Sequence, residues 1–236
     1  NKAPEAQLKP CQLLLSKEPL DAAADELTRA LLAVLEVRDT ARLAVPGGSA
    51  LPALAGARAR LGDAWRRIQL TWVDERCVPV ASVESNRGAA QRLGSLGLGV
   101  SEDGPRPHSV LPLYIDDETP SAAVARVELG LRGDFEGGLD VLLLGMGEDG
   151  HIASLFPSRI LPESGLVAHV PDSPKPPSDR ITLTPATLAT ASRAVLPAFG
   201  ESKRAPLRQL LAGDPTLPAR ALRGLIVVTD LDLGAA

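Results

Sequence analysis

Short aliphatic runs and amphipathic segments alternate along almost the whole chain, and this alternation restricts the fold more than any other feature. Residues 12–15, 42–45, 68–73, 139–144, 180–183, 194–198 and 225–229 read as strands. Between them, 19–37, 50–61, 86–93, 123–131, 185–191 and 201–212 read as helices; in the first, Leu20, Ala24, Leu27, Leu31 and Val34 recur at helical spacing. The run at 139–144 is apolar nearly throughout, as expected of a parallel strand buried on both faces. Strand–helix alternation predicts an α/β fold, a mainly parallel sheet with helices on both faces. The Gly/Pro-rich stretch 94–112 and the Pro-rich stretch 171–177 read as surface loops. Neither is long enough to separate two domains, so one domain over 1–236 is expected.

Charge and hydropathy narrow the partners. Lysine and arginine total 25 against 29 acidic residues, a formal net charge of −4, with no basic run. A nucleic-acid binder would carry a basic patch or stripe, so nucleic acid is not an expected partner. No apolar run approaches the ~20 residues needed to cross a bilayer, and residues 1–20 hold no secretory apolar core. No membrane association is expected. Two cysteines, Cys11 and Cys77, build neither a disulfide framework nor a Cys-rich zinc site, and a cytoplasmic location is the simplest expectation. Only six residues are Phe, Trp or Tyr, so the core must be aliphatic.

In a sheet of this kind ligands bind beyond the carboxyl ends of the strands, which singles out the loops after Val45, Val73 and Leu144. Gly145-Met146-Gly147-Glu148-Asp149-Gly150 satisfies the dinucleotide pattern G-x-G-x-x-G after a strand. Two features argue against that reading. A pyrophosphate needs bare N–H groups at a helix N-terminus, and here Glu148 and Asp149 occupy the turn. Pro157 stands seven residues beyond Gly150 and cuts short any helix that follows. What remains is Asp149-Gly150-His151 at a strand end. Neutral imidazole is available near pH ~7 as a general base, with capping of a backbone carbonyl as the plainer alternative.

Pro46-Gly47-Gly48-Ser49 joins a strand to a helix. Two glycines permit close backbone approach, Ser49 offers a hydroxyl, and a helix N-terminus favours an anion. A plain N-cap by Ser49 explains the same residues. Asp74-Glu75-Arg76-Cys77 sets three charges directly behind a strand, either as a solvated loop or as part of a site. Asp74, Glu75, Asp149 and His151 are metal-ligand types, yet Arg76 beside them would repel a cation and no spacing requires one. No metal and no cofactor are expected. There is no G-x-S-x-G elbow, and Cys77 follows Arg76 but has no histidine near it in sequence.

Taken in order, these segments resemble the 6-phosphogluconolactonase family. The resemblance runs from Leu43 to Asp230 and is most specific in Trp72-Val73-Asp74-Glu75-Arg76-Cys77-Val78-Pro79, in Ser85-Asn86 and in the stretch from Leu143 to Pro157 around Asp149-Gly150-His151. Arg180-Ile181-Thr182-Leu183-Thr184 and Gly200-Glu201-Ser202-Lys203 add to it. It implies a Rossmann-like α/β fold shared with sugar-phosphate deaminases. The implied activity is hydrolysis of 6-phospho-D-glucono-1,5-lactone to 6-phospho-D-gluconate in the oxidative pentose phosphate pathway, without metal or nucleotide. The resemblance places the water-activating base on His151 and its orienting carboxylate on Asp149, with Asp74 in the same catalytic set. Arg76 falls where phosphate or a developing oxyanion is bound. Gly47, Gly48 and Ser49 fall on the phosphate loop, and Arg180 and Lys203 join the substrate-binding set.

The chain departs from the family's pattern at Pro46, which has no N–H to offer a phosphate, and at Ala50-Leu51. Lys203 is one of only five lysines among the 25 basic residues and opens a helix, where a cation is disfavoured unless an anion binds beside it. The expected partner is a phosphorylated sugar lactone, and a monomer is the favoured state. Two other readings compete. A glucosamine-6-phosphate deaminase-like isomerase has a similar Asp-Gly-His loop that continues into Asn-Glu-Pro, whereas Ile152-Ala153-Ser154-Leu155-Phe156-Pro157 supplies no acid. A non-catalytic sugar-phosphate sensor would have no need of a base, and His151 is present.

Overall fold

The computed structural model describes residues 11–94, 104–157, 159, 161 and 165–234. In chain order its elements are β1 (Gln12–Leu15), α1 (Pro19–Leu35), β2 (Ala41–Val45), α2 (Pro52–Leu61), β3 (Ile68–Trp72), β4 (Asp74–Arg76), α3 (Asn86–Arg92) and β5 (Ser109–Leu111). They continue with α4 (Pro120–Arg132), β6 (Val141–Leu143), β7 (Val167–Val170), β8 (Arg180–Leu183), α5 (Pro185–Leu188), β9 (Arg193–Pro197), α6 (Arg204–Leu211) and β10 (Leu225–Thr229). Seven strands form one sheet in the order β1-β10-β9-β6-β2-β3-β5, and every neighbouring pair is parallel. Every residue of β2, β3, β6 and β10 is buried. Burial of that kind is expected of parallel strands covered on both faces, and the polar side chains it encloses, such as Arg42 and Thr71, are hydrogen-bonded.

Ala23, Leu27, Leu31 and Leu35 of α1 recur every fourth residue and are all buried. That face lies against α2, β9 and β10. Each such leucine contributes roughly 1.5–3 kcal/mol by leaving water. Trp65, Trp72 and Phe135 are enclosed by this mostly aliphatic core. At the amino end of the sheet Arg42 ties β2 to the start of β6. Its Nε donates to Asp140 Oδ2 at 2.9 Å and its Nη2 to Oδ1 at 2.7 Å, a bidentate pair. Burial pushes the Asp140 carboxyl up, but the hydrogen bonds and charge of Arg42 outweigh it and hold the pKa below the ordinary value.

The α/β architecture with a mainly parallel sheet is as the sequence predicts, but three strands differ from the expectation. Asp74–Arg76, read as a loop, is strand β4, and it forms a separate three-stranded antiparallel sheet in the order β4-β8-β7. Its charges hide it, because a three-residue polar strand carries no alternating apolar signal. The strands β5 and β7, of three and four residues, are equally silent in the pattern. β5 lies within the 94–112 stretch, of which 95–103 are outside the described residues, as are 1–10. Among the described residues no helix is long and apolar enough to cross a membrane.

Val73 joins the two sheets: its N–H donates to Val45 O and its carbonyl accepts from Leu183 N, both at 2.9 Å. The carboxyl ends of β2 and β6 are neighbours. From β2 the chain proceeds to β3 on one side, whereas the strands that follow β6 in this sheet, β9 and β10, lie on the other. Such a switch point leaves a crevice beyond the strand ends.

Candidate active site

A cleft of about 160 Å³ opens there. It is lined by Pro46–Ser49 after β2, Gly145–Gly147 and His151 after β6, Asp74 and Arg76 of β4, Asn86 of α3 and Arg180 of β8. Of the residues singled out from the sequence, Gly47, Gly48, Ser49, Asp74, Arg76, His151 and Arg180 converge on this one space.

His151 is placed by a tight turn. The N–H of Gly147 donates to His151 O at 2.9 Å, folding the loop back over the end of β6. The ring then crosses the backbone so closely that a Cβ on Gly147 would stand 2.1 Å from Nδ1. Only glycine fits. Among the described residues no helix follows Gly150 before β7; Ile152 instead bridges to Leu155, so the G-x-G-x-x-G pattern lacks the helix start that a dinucleotide needs. Asp149 Oδ1 lies 2.5 Å from His151 Nδ1. An ionised carboxylate only accepts, so Nδ1 carries the proton and Nε2 keeps its lone pair. Phe156 packs against the ring at 4.6 Å between centroids, and the side chain is 16% exposed. Burial pushes the imidazole pKa below its ordinary value, against the pull of the Asp149 hydrogen bond and charge. At Asp149 burial raises the pKa, but the hydrogen bond from His151 and the charges of His151 and Lys175 prevail and lower it.

Across the cleft, β4 and β8 set Arg76 directly opposite Arg180. Like charges in that relation destabilise a sheet and need compensation. For Arg180 it comes from Asp74, whose Oδ2 is 3.8 Å from Nη1 and also accepts from Ser154 Oγ at 2.7 Å. Burial lowers the Arg180 pKa, with Asp74 opposing and Arg76 adding to the fall. Arg76 donates from Nη1 to Glu84 O at 2.6 Å, while its buried Nε has no partner within the described residues. Gly47 lies so close to Asn86 that a Cβ would sit 2.0 Å from Oδ1. Ser49 lies within the 3₁₀ turn Gly48–Ala50, and α2 begins behind Leu51 with no side-chain cap, so Ser49 does not cap the helix.

Glu75 belongs to the framework. It accepts from the N–H groups of Arg76, Asn86 and Arg87, each at 2.7 Å, and from Ser85 Oγ at 3.1 Å. It thus caps α3 together with Ser85, whose Oγ accepts from Gly88 N at 2.9 Å. Burial pushes its carboxyl pKa up in spite of those bonds. Burial also pushes the Cys77 thiol up to about 12, which leaves it protonated and a poor nucleophile at neutral pH. Lys203 ends a 3₁₀ turn, Glu201–Lys203, between β9 and α6, and it is not among the residues lining the cleft. Asn86 lines the cleft although the sequence marked it only as part of Ser85-Asn86. Its Nδ2 donates to Asp74 O at 2.9 Å, a contact no local pattern announces. Among the described residues no three His, Cys, Asp or Glu side chains group as a metal site.

A parallel α/β sheet with an aspartate-oriented histidine and two facing arginines at its switch point is an arrangement suited to acid–base chemistry on a small anion. Residues 16–228 match the family model described as glucosamine-6-phosphate isomerases/6-phosphogluconolactonase, and the chain belongs to this family. It is 36% identical over 221 residues to a 6-phosphogluconolactonase of Streptomyces coelicolor, covering 86% of this chain and 84% of that one. Against the human 6-phosphogluconolactonase it is 33% identical over 215 residues, with coverages of 87% and 83%. The crystal structure of a 6-phosphogluconolactonase from Thermotoga maritima superposes with a TM-score of 0.78 at 26% identity, over 93% of this chain and 99% of that one.

Proposed function

We propose that this chain hydrolyses 6-phosphogluconolactone to 6-phosphogluconate in the pentose phosphate pathway, with His151 as general base. The observation that carries this reading is His151, bonded to Asp149, standing in one cleft with Arg76 and Arg180. A lactone is an activated ester, so an oriented base, water and a cationic wall suffice without a covalent intermediate. His151 Nε2 takes a proton from water as the oxygen attacks the carbonyl carbon. Asp149 stabilises the imidazolium that forms. The tetrahedral oxyanion is met by the cationic wall of the cleft, and its collapse breaks the ring C–O bond. The imidazolium then returns its proton to the leaving alkoxide oxygen, which becomes the sugar hydroxyl, and the base is restored. General-base action supplies about 10²–10⁴-fold and one oxyanion donor about 10²–10³-fold.

Arg76 and the Gly48-Ser49 turn, which line the cleft, are the proposed phosphate contacts. Lys203 lies outside that lining and is proposed as a further contact on the family resemblance alone. Asp74 orients the sugar end beside Asn86. The purified chain is expected to release 6-phosphogluconate faster than the lactone hydrolyses unaided; an assay that finds only the spontaneous rate overturns the proposal. Two further outcomes follow from the charges in the cleft. Prolonged treatment with a chelator leaves the rate intact, because Arg76 and Arg180 disfavour a cation there. Loss of activity restored by added Mg²⁺ or Zn²⁺ refutes that. Lys203→Ala raises KM for the phosphorylated lactone by about 10–150-fold, the value of one charge-assisted contact, and leaves turnover of unphosphorylated gluconolactone unchanged. Equal losses on both substrates would remove Lys203 from phosphate binding.

A further inference from the structure

We propose that Lys175 is a positioning residue for the base: its ammonium shares the Asp149 carboxylate oxygen that meets His151 Nδ1, so the carboxylate orients the ring while Nε2 stays the free nitrogen. The inference rests on His151 being the base. Lys175 Nζ lies 3.4 Å from Asp149 Oδ1, the same oxygen that His151 Nδ1 meets at 2.5 Å. The lysine comes from a different part of the chain, the Pro-rich connection between β7 and β8, and its placement there is built rather than incidental. Arg180, whose side chain is 3% exposed, donates from Nη2 to Lys175 O at 2.9 Å and from Nε to Pro177 O at 3.0 Å. Ser173 Oγ donates to Lys175 O at 3.0 Å and accepts from Lys175 N at 3.3 Å. The arginine that lines the cleft therefore also clamps the loop that carries the cation to Asp149.

The charge has a definite effect on the pair. Asp149 and Asp74 favour the imidazolium of His151, and Lys175 disfavours it. Arg76 and Arg180, which line the same cleft, are further positive charges. Asp149 by itself would orient the ring but also draw a proton onto Nε2. A lysine sharing the carboxylate keeps the orientation and weakens that pull. It is 42% exposed, so its influence is screened and modest.

The test compares Lys175→Met, which keeps the stem and removes the charge, with Lys175→Arg. The readouts are the NMR titration of His151, identified by its absence in His151→Asn, and kcat and KM across pH. In Lys175→Met the His151 midpoint is expected to rise by about 0.2–0.7 pH units, the range that exposed ion pairs set. The acid limb of kcat/KM moves with it, KM on the plateau stays at the wild-type value, and Lys175→Arg returns both midpoints toward wild type. An unmoved His151 midpoint in Lys175→Met overturns the proposal. So does a raised plateau KM with kcat unchanged, which would make Lys175 a substrate ligand. If the midpoint moves while the acid limb stays, Lys175 acts on His151 as proposed, and it is His151 as the base that fails.

Discussion

Replacing His151 with asparagine lowers kcat for the lactone by about 10²–10⁴-fold and leaves product affinity nearly unchanged. Asparagine keeps a similar size and a polar end but cannot take a proton near neutrality. In the wild type the rate rises with pH as the imidazolium loses its proton, since only the neutral ring accepts one from water. Burial against Phe156 and the β6 turn sets that ionisation below the ordinary 6.5, so the acid limb is displaced to lower pH than that of a free imidazole. The acid limb disappears in His151→Asn. Because the lactone also hydrolyses by itself, the enzyme-free rate is subtracted at each pH. A variant with near-wild-type kcat over that background would take His151 out of the mechanism. Asp74 would then be the remaining carboxylate at the cleft, since Glu75 is fully engaged by its four donors.

Those four donors make Glu75→Ala the substitution with the largest expected effect on stability. It strips the acceptor from three backbone N–H groups and from Ser85 Oγ at the start of α3. Each buried donor left without a partner costs about 1–3 kcal/mol. Relief of the carboxylate's own burial offsets part of this, and a net loss of about 3–5 kcal/mol is expected. For a chain of this length that lowers Tm by roughly 6–20 °C. Activity falls as well, because Asn86 is held by Glu75 and in turn donates to Asp74 at the cleft. Thermal unfolding followed by circular dichroism checks it. A Tm within about 2 °C of wild type would show that Glu75 does not organise this corner.

Local pattern by itself determined the kind of fold and which loops form the candidate site. Apolar periodicity is written within each segment, so the strands that become β2, β3, β6 and β10 are legible, as are the helices between them. Strand ends followed by Gly-rich turns mark where ligands bind, which is why 46–49 and 149–151 stand out along the chain. The sequence also carried the choice of His151 over the dinucleotide reading, since Pro157 and two carboxylates are local facts. What the tertiary structure decided is which charges face one another. Asp74 meets Ser154 eighty residues away, and Arg76 meets Arg180 only because β4 pairs with β8. A charged run such as Asp74-Glu75-Arg76 looks solvated until those partners are supplied. The same holds for Asn86 in the cleft, for Lys203 outside its lining and for Lys175 beside Asp149. They depend on two strand orders, β1-β10-β9-β6-β2-β3-β5, which brings the ends of β2 and β6 together although about a hundred residues separate them, and β4-β8-β7, which pairs Arg76 with Arg180. Periodicity is a property of neighbours along the chain, whereas the pairing of buried charges is a property of neighbours in space.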